Sequence, residues 1–195
     1  VPALQAVLLA DDPDVRVQGL EALGANDTSQ ALPVVRLALD DPEPDVKYAA
    51  TLSLIELQSE ASFREVAQLI KTTNGVTRQS ILRGFFHATN YLLIDVGQSR
   101  DVEAIIDALE EALLDPMPPA RLAAIWPLAW MRHPRAPIIL KRAYDVEQDS
   151  ETKARIVRIA FNLMSEASKD ILRDALHSDD EQVREAAEQV RLTSR

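Results

Sequence analysis

The chain has 195 residues, 47% of them apolar, which supplies one substantial core and excludes disorder. Only 5% of residues are aromatic and five are Gly, while Ala and Leu abound, so helices are favoured over sheets. The formal charge of −10 falls mostly in residues 1–60, with 3 basic side chains against 11 acidic ones, and argues against nucleic acid, whose phosphates need clustered Lys and Arg.

With no cysteine there is no disulfide framework, thiol nucleophile or Cys-based zinc site; a reducing interior is permitted, and the cytoplasm is the expected location. The opening Val1-Pro2-Ala3-Leu4 has no basic n-region, and its apolar run stops at Asp11-Asp12, so it reads as neither a signal peptide nor a membrane span. A start on Val without Met reads as a processed or excised chain.

Along the chain, Asp11-Asp12-Pro13-Asp14-Val15-Arg16 is a turn followed by an amphipathic helix. Asp40-Asp41-Pro42-Glu43-Pro44-Asp45-Val46-Lys47 opens a second such helix, and Thr77-Arg78 sits at the matching point of a third. Arg16, Lys47 and Arg78 are spaced by 31 residues each time, the mark of a solenoid whose units touch only their neighbours. Three further openings end on Arg121, Arg155 and Arg184. Between them lie partner helices with apolar residues at helical spacing in Leu4–Leu9, Leu32–Leu39, Val66–Ile70, Ile105–Leu114, Ile138–Tyr144 and Ile171–Leu176. Pro33 falls in the first turns of its helix, where a missing N–H costs least.

These features predict an all-α fold: one domain over 1–195, a right-handed α-solenoid of about six helical hairpins near 1–25, 26–60, 61–99, 100–133, 134–165 and 166–195. The step from Arg78 to Arg121 is 43 residues, and the surplus is expected to prolong the third unit's second helix through Tyr91-Leu92-Leu93-Ile94 and add a loop over residues 95–100. Such an insertion is either a binding element or a tolerated long connection. The last helix, with Glu185, Glu188, Gln189 and Arg191, is polar as a terminal cap should be.

Aligning the second helices on their basic residue gives a stripe one, five and nine positions later, expected to line an inner, concave wall. Its central members are Tyr48, Leu52, Arg83, His87, Leu122, Trp126, Trp130, Ile156 and Met164, with acids and amides such as Glu21, Glu56, Glu185 and Gln189 at the ends. An exposed apolar patch of this make-up marks a docking surface; alternatively Trp126 and Trp130 fill space between units. Pro127 beside Trp126 kinks its helix, either opening the groove or as accommodated strain, and His133-Pro134 ends that helix. Arg83 and His87, four apart on one face, suit an acidic side chain, and Arg158 is a further candidate for orienting a partner.

Catalytic patterns are wanting. The three histidines, His87, His133 and His177, are scattered, and neither a nucleophile elbow nor a phosphate-cradling Gly-rich loop occurs. The carboxylate pairs Asp11-Asp12, Asp40-Asp41 and Asp179-Asp180 each precede a helix, which points to capping.

The Asp-Pro-Asp-Val-Arg pattern, with Ala and Leu following three to seven positions later, resembles HEAT repeats, and the 31-residue step looks most like the short subclass named after phycobilisome lyases. The resemblance implies a ladder between units in which Asp14 and Asp45 face the bases Arg16, Lys47, Arg78, Arg121, Arg155 and Arg184. Metal-dependent hydroxylases built on this repeat hold iron through His-Glu pairs, and no His-Glu dipeptide occurs here. DNA glycosylases of HEAT-like fold use concave Trp residues, but the acidic first units suit a duplex poorly. The expected function is a non-enzymatic scaffold, without cofactor or metal, holding a protein partner as a helix or extended segment. The alternative implied by the subclass is a bilin lyase or chromophore-handling protein acting on phycobiliproteins.

Overall fold

A computed structural model describes residues 6–25, 29–58, 62–91, 96 and 99–193, and among them it holds eleven α-helices stacked in chain order as a solenoid. The helices are α1 (Pro13–Ala25), α2 (Leu32–Ala38), α3 (Pro44–Gln58), α4 (Phe63–Thr72), α5 (Gly75–Tyr91), α6 (Val102–Ala112), α7 (Pro118–Trp130), α8 (Ala136–Val146), α9 (Ser150–Ala160), α10 (Glu166–Leu176) and α11 (Glu181–Thr193). Each predicted partner helix is present except the first, where Ala6–Leu9 form a 3-10 turn and residues 1–5 lie outside the described residues. No helix among the described residues is long and apolar enough to cross a membrane.

The odd-numbered helices form one row, each packed on the next from α1 to α11, while α4 packs on α6 and α8 on α10 in the even row. One continuous apolar core runs from Leu20 to Ala187, with Leu23, Ala31 and Val34 as a satellite beside it. Helix starts follow from local chemistry. Pro13, Pro44 and Pro118 occupy first helical positions, where the absent N–H costs nothing. Asp12 and Asp180 accept amide hydrogen bonds from Asp14 and Gln182 and so cap their helices, while Asp41 accepts from the amide of Glu43 in the turn before Pro44.

The ladder between units differs from expectation in its acids. Arg16 donates to the carboxylate of Asp41 at 2.8 Å and to the Ala10 carbonyl at 2.8 Å; Arg78 donates to Asp115 at 3.0 Å and to the Ile70 carbonyl at 2.8 Å. Arg121 grips both oxygens of Glu147 at 2.7 Å and the Asp115 carbonyl at 2.8 Å. The acceptor is thus the turn carboxylate of the next unit, Asp41, Asp115 or Glu147, not Asp14 or Asp45, which lie on the first turn of the base's own helix and are exposed. Among the described residues the Lys47 ammonium donates to the Asp41 carbonyl and to no acid of the following turn, Thr73-Asn74-Gly75, which offers none. Arg184 bonds the Ser178 carbonyl, and Arg155 Nε is buried without a hydrogen-bond partner.

The insertion after α5 is a connection at its described end. Val96, Ser99 and Asp101 are buried, and Asp101 accepts from Arg64 at 2.7 Å. Residues 92–95 and 97–98, where the prolonged helix and most of the loop were expected, lie outside the described residues.

Asp115 is almost fully buried and serves Arg78, the Gly75 amide and the Met117 amide together. Asp115→Ala therefore leaves the buried Arg78 guanidinium with only the half-exposed Glu111, 3.8 Å away, as a counter-charge and is expected to cost about 3 kcal/mol in urea unfolding. Arg155→Met, which deletes an unsatisfied group, is expected to be near neutral.

Acid should loosen the turns as well. Burial alone would raise the Asp41 and Glu147 carboxyls, but the guanidiniums of Arg16 and Arg121 and the turn amides outweigh it and hold both below the usual range. Hydrogen bonds from Thr152 lower Asp149, and those from Ser150 and the Val183 amide lower Asp180. Each depressed carboxyl contributes stability above its unfolded value, and that contribution is lost as pH falls through the folded one. The urea midpoint is expected to drop steeply below about pH 4.5, and Glu147→Gln should start lower at neutral pH and fall less.

Candidate functional site

The stripe along the odd row turns outward as it proceeds. Its first step is half-buried at Val17, Tyr48, Gln79 and Leu122, buried at Ile156 and exposed only at Glu185 in the last helix, and its last step is half-buried at Glu56 and exposed at His87, Trp130 and Met164. An i, i+4 step advances about 40° more than a full turn, so a stripe that starts against a neighbouring helix ends in solvent.

Two of the expected contact residues are thereby removed from the surface. Leu52 is 8% exposed and Ile156 fully buried, both within the core. Leu122 is half-buried and packs on the same core.

The remaining residues form two adjoining clusters. On α3 and α5, the Tyr48 ring stacks on His87 with centroids 5.8 Å apart, its hydroxyl shares a hydrogen bond with His87 Nδ1, and the Arg83 guanidinium lies 5.4 Å from its centroid. Arg83 and His87 therefore act first on Tyr48, an arrangement their shared helix face had not disclosed. Burial pushes the Tyr48 phenol up, and Arg83 opposes that shift. Beside them Glu56 is raised by burial and by the nearby Glu21, with His87 pulling the other way.

The second cluster is aromatic. Phe86, next to His87 in sequence, stacks on Trp126 at 6.3 Å and meets Trp130 edge-on at 6.4 Å. Both indoles nevertheless reach solvent, Trp126 41% exposed and Trp130 48%. They wall a groove of about 410 Å³ between α7 and α9, completed by Ala129, Arg132, Ile159, Asn162 and Leu163. Met164, 86% exposed, follows at the end of the 3-10 turn Phe161–Leu163.

Helix α7 runs unbroken through Pro127, whose ring is buried, and closes at Trp130 before His133-Pro134. Arg132 then takes a left-handed conformation with φ 49°, and Met164 does the same after α9 with φ 47°. Neither is Gly, so each costs about 1 kcal/mol or more, and both flank the same groove. Among the described residues no group of three or more His, Asp or Glu is placed to hold a metal ion.

Sequence reasoning missed Phe86 and the groove floor. Phe86 stands eight positions after Arg78, off the four-residue stripe, and its role depends on α7 lying alongside. Phe86→Ala is expected to lower stability by about 1–3 kcal/mol and to shift the tryptophan emission to longer wavelength, since both indoles lose their common partner.

Comparisons with known proteins agree on the architecture. Residues 1–84 match the family model described as HEAT repeats. Two crystal structures of engineered proteins, both Northeast Structural Genomics Consortium targets, resemble the chain. One is 16% identical with a TM-score of 0.54, covering 96% of this chain and 95% of that one. The other is 15% identical with a TM-score of 0.53, covering 96% and 93%. At such identity the likeness shows the fold alone. No curated protein matches the sequence.

Proposed function

We propose that this HEAT-repeat chain is a cytoplasmic, non-enzymatic scaffold that holds a segment of a partner protein against its middle units, along α5, α7 and α9. The observation that carries the reading is the pair of half-exposed tryptophans over an open groove. Trp126 and Trp130 are fixed by Phe86, so their faces meet a ligand without further loss of side-chain freedom. Trp, Tyr and Arg are the residues that dominate binding energy at protein interfaces, and Trp126, Trp130, Tyr48, Arg83 and Arg132 bring all three types to this row. The groove volume of about 410 Å³ lies within the range of sites that enclose a side chain or small ligand.

The α3–α5 cluster forms the adjoining part of the surface. Arg83 and His87 orient Tyr48, and the three present a flat, amphipathic platform next to Phe86. Met164, projecting beyond Leu163, adds an adaptable apolar contact at the opposite end.

Affinity capture from the native host followed by mass spectrometry supplies partner candidates, and titration followed by tryptophan emission measures them. Trp126→Ala and Trp130→Ala are each expected to weaken binding by about 2 kcal/mol, roughly 30-fold, with smaller losses in stability because half of each ring already faces water. Unchanged affinity in both variants would overturn the assignment of the groove.

A further inference from the structure

We infer that the segment held in the α7–α9 groove is acidic: a short stretch in which an aromatic or long aliphatic side chain is flanked by Asp or Glu. The inference deepens the scaffold reading and rests on it. It follows from the local sign of charge, which is opposite to that of the whole chain. Arg78, Arg121 and Arg155 belong to the turn ladder, where Arg78 and Arg121 are paired with Asp115 and Glu147; beyond them, and against a formal charge of −10, the helices α5, α7 and α9 carry Arg83, Lys153 and Arg158 and a single acid, Glu151.

One cation is uncommitted at the groove itself, and a second is exposed on α9. Arg132 lines it together with both indoles, is exposed, and makes no ion pair among the described residues. Arg158, exposed on α9 but not part of the groove lining, likewise makes none among the described residues. A guanidinium beside low-dielectric aromatic walls is screened less than one in open water, so a carboxylate seated next to a buried apolar anchor satisfies it most effectively.

The ends of the odd row fix the length of the ligand. Beyond their ladder bases Arg16, Lys47 and Arg184, helix α1 carries Asp14 and Glu21, α3 carries Asp45 and Glu56, and α11 carries Glu181, Glu185 and Glu188 against Arg191. An acidic segment running on past the middle would meet these like charges, which confines it to the span from α5 to α9. Two helix-to-helix steps of about 8–10 Å give about 16–20 Å, the reach of roughly five or six extended residues. A nucleic-acid strand is also anionic and also stacks on aromatics, but it would continue into the acidic helices on both sides.

The test is a random library of displayed peptides of about 12 residues. It is selected on the full chain and counter-selected on the Trp126→Ala/Trp130→Ala double variant. Peptides that depend on the tryptophans should place Phe, Trp, Leu or Met within two positions of Asp or Glu. For a synthesised representative, exchanging its acids for amides should weaken binding about tenfold. Arg132→Glu should do the same, and so should raising salt from about 50 to about 500 mM. Arg132→Gln, with its melting temperature compared with wild type, separates lost charge from lost folding and is expected to fall between wild type and Arg132→Glu. Tryptophan-dependent peptides that are neutral or basic, or that tolerate amide exchange, would overturn the acidic ligand while leaving the scaffold standing. Displacement of the peptide by a short oligothymidylate at lower concentration than by the peptide itself would overturn it in favour of nucleic acid. A selection yielding no tryptophan-dependent peptide would overturn both.

Discussion

At Arg16, Arg78 and Arg121, three of the six bases that open the odd helices, one side chain meets two demands at once. Its own hairpin ends a helix in the preceding turn, leaving backbone carbonyls that need donors, and the next hairpin begins with a carboxylate that caps its own amides. An arginine placed between them, with five donors in a planar fork, satisfies both: Arg16 reaches Ala10 and Asp41, Arg78 reaches Ile70 and Asp115, and Arg121 reaches Asp115 and Glu147. Because that one side chain must touch the turn behind it and the unit ahead, its position within each hairpin cannot drift. The repeat length is the visible consequence. Where the fork is missing, at Lys47, one of the two links is missing too.

That dependence explains what the sequence disclosed and what it hid. The bases were legible because they sit at fixed spacing on helices whose apolar periodicity was also clear. The acids were misplaced because the nearest carboxylates in sequence, Asp14 and Asp45, share a helix with the base, whereas the true partners lie 25 to 37 residues further on. The stripe was legible in outline, since His87, Trp126, Trp130 and Met164 do reach solvent. Leu52 and Ile156 were misread because the degree to which a helix face is covered depends on neighbours at both sides, which spacing along one helix does not encode. Phe86 was invisible for the same reason, as an aromatic whose partners belong to another unit.

The two rows of helices use charge differently. In the even row nearly every neighbour is tied by ions: Arg36 to Glu65, Arg64 to Asp101, Arg135 to Glu103, Asp107 and Glu110, and Lys141 to Asp174. These pairs are mostly exposed on at least one side and individually weak, so they register the stack more than they stabilise it. They also consume the acids of α6 and α8. Along the odd row the stack is held by the apolar core and the turn ladder, and the cations on its open face have no such obligation.

Strain follows the same division. Arg132 and Met164 both adopt left-handed backbone at the ends of α7 and α9, positions where Gly would be cheaper by about 1 kcal/mol. A chain shaped only for stability would have Gly at both. The side chains kept there, a guanidinium in the groove wall and a thioether in open solvent, have few contacts within the protein to offset that cost. On the proposed function, a ligand that meets a cation and an apolar arm on either side of two exposed indoles would draw on both side chains, which ties the backbone geometry of the groove to that use.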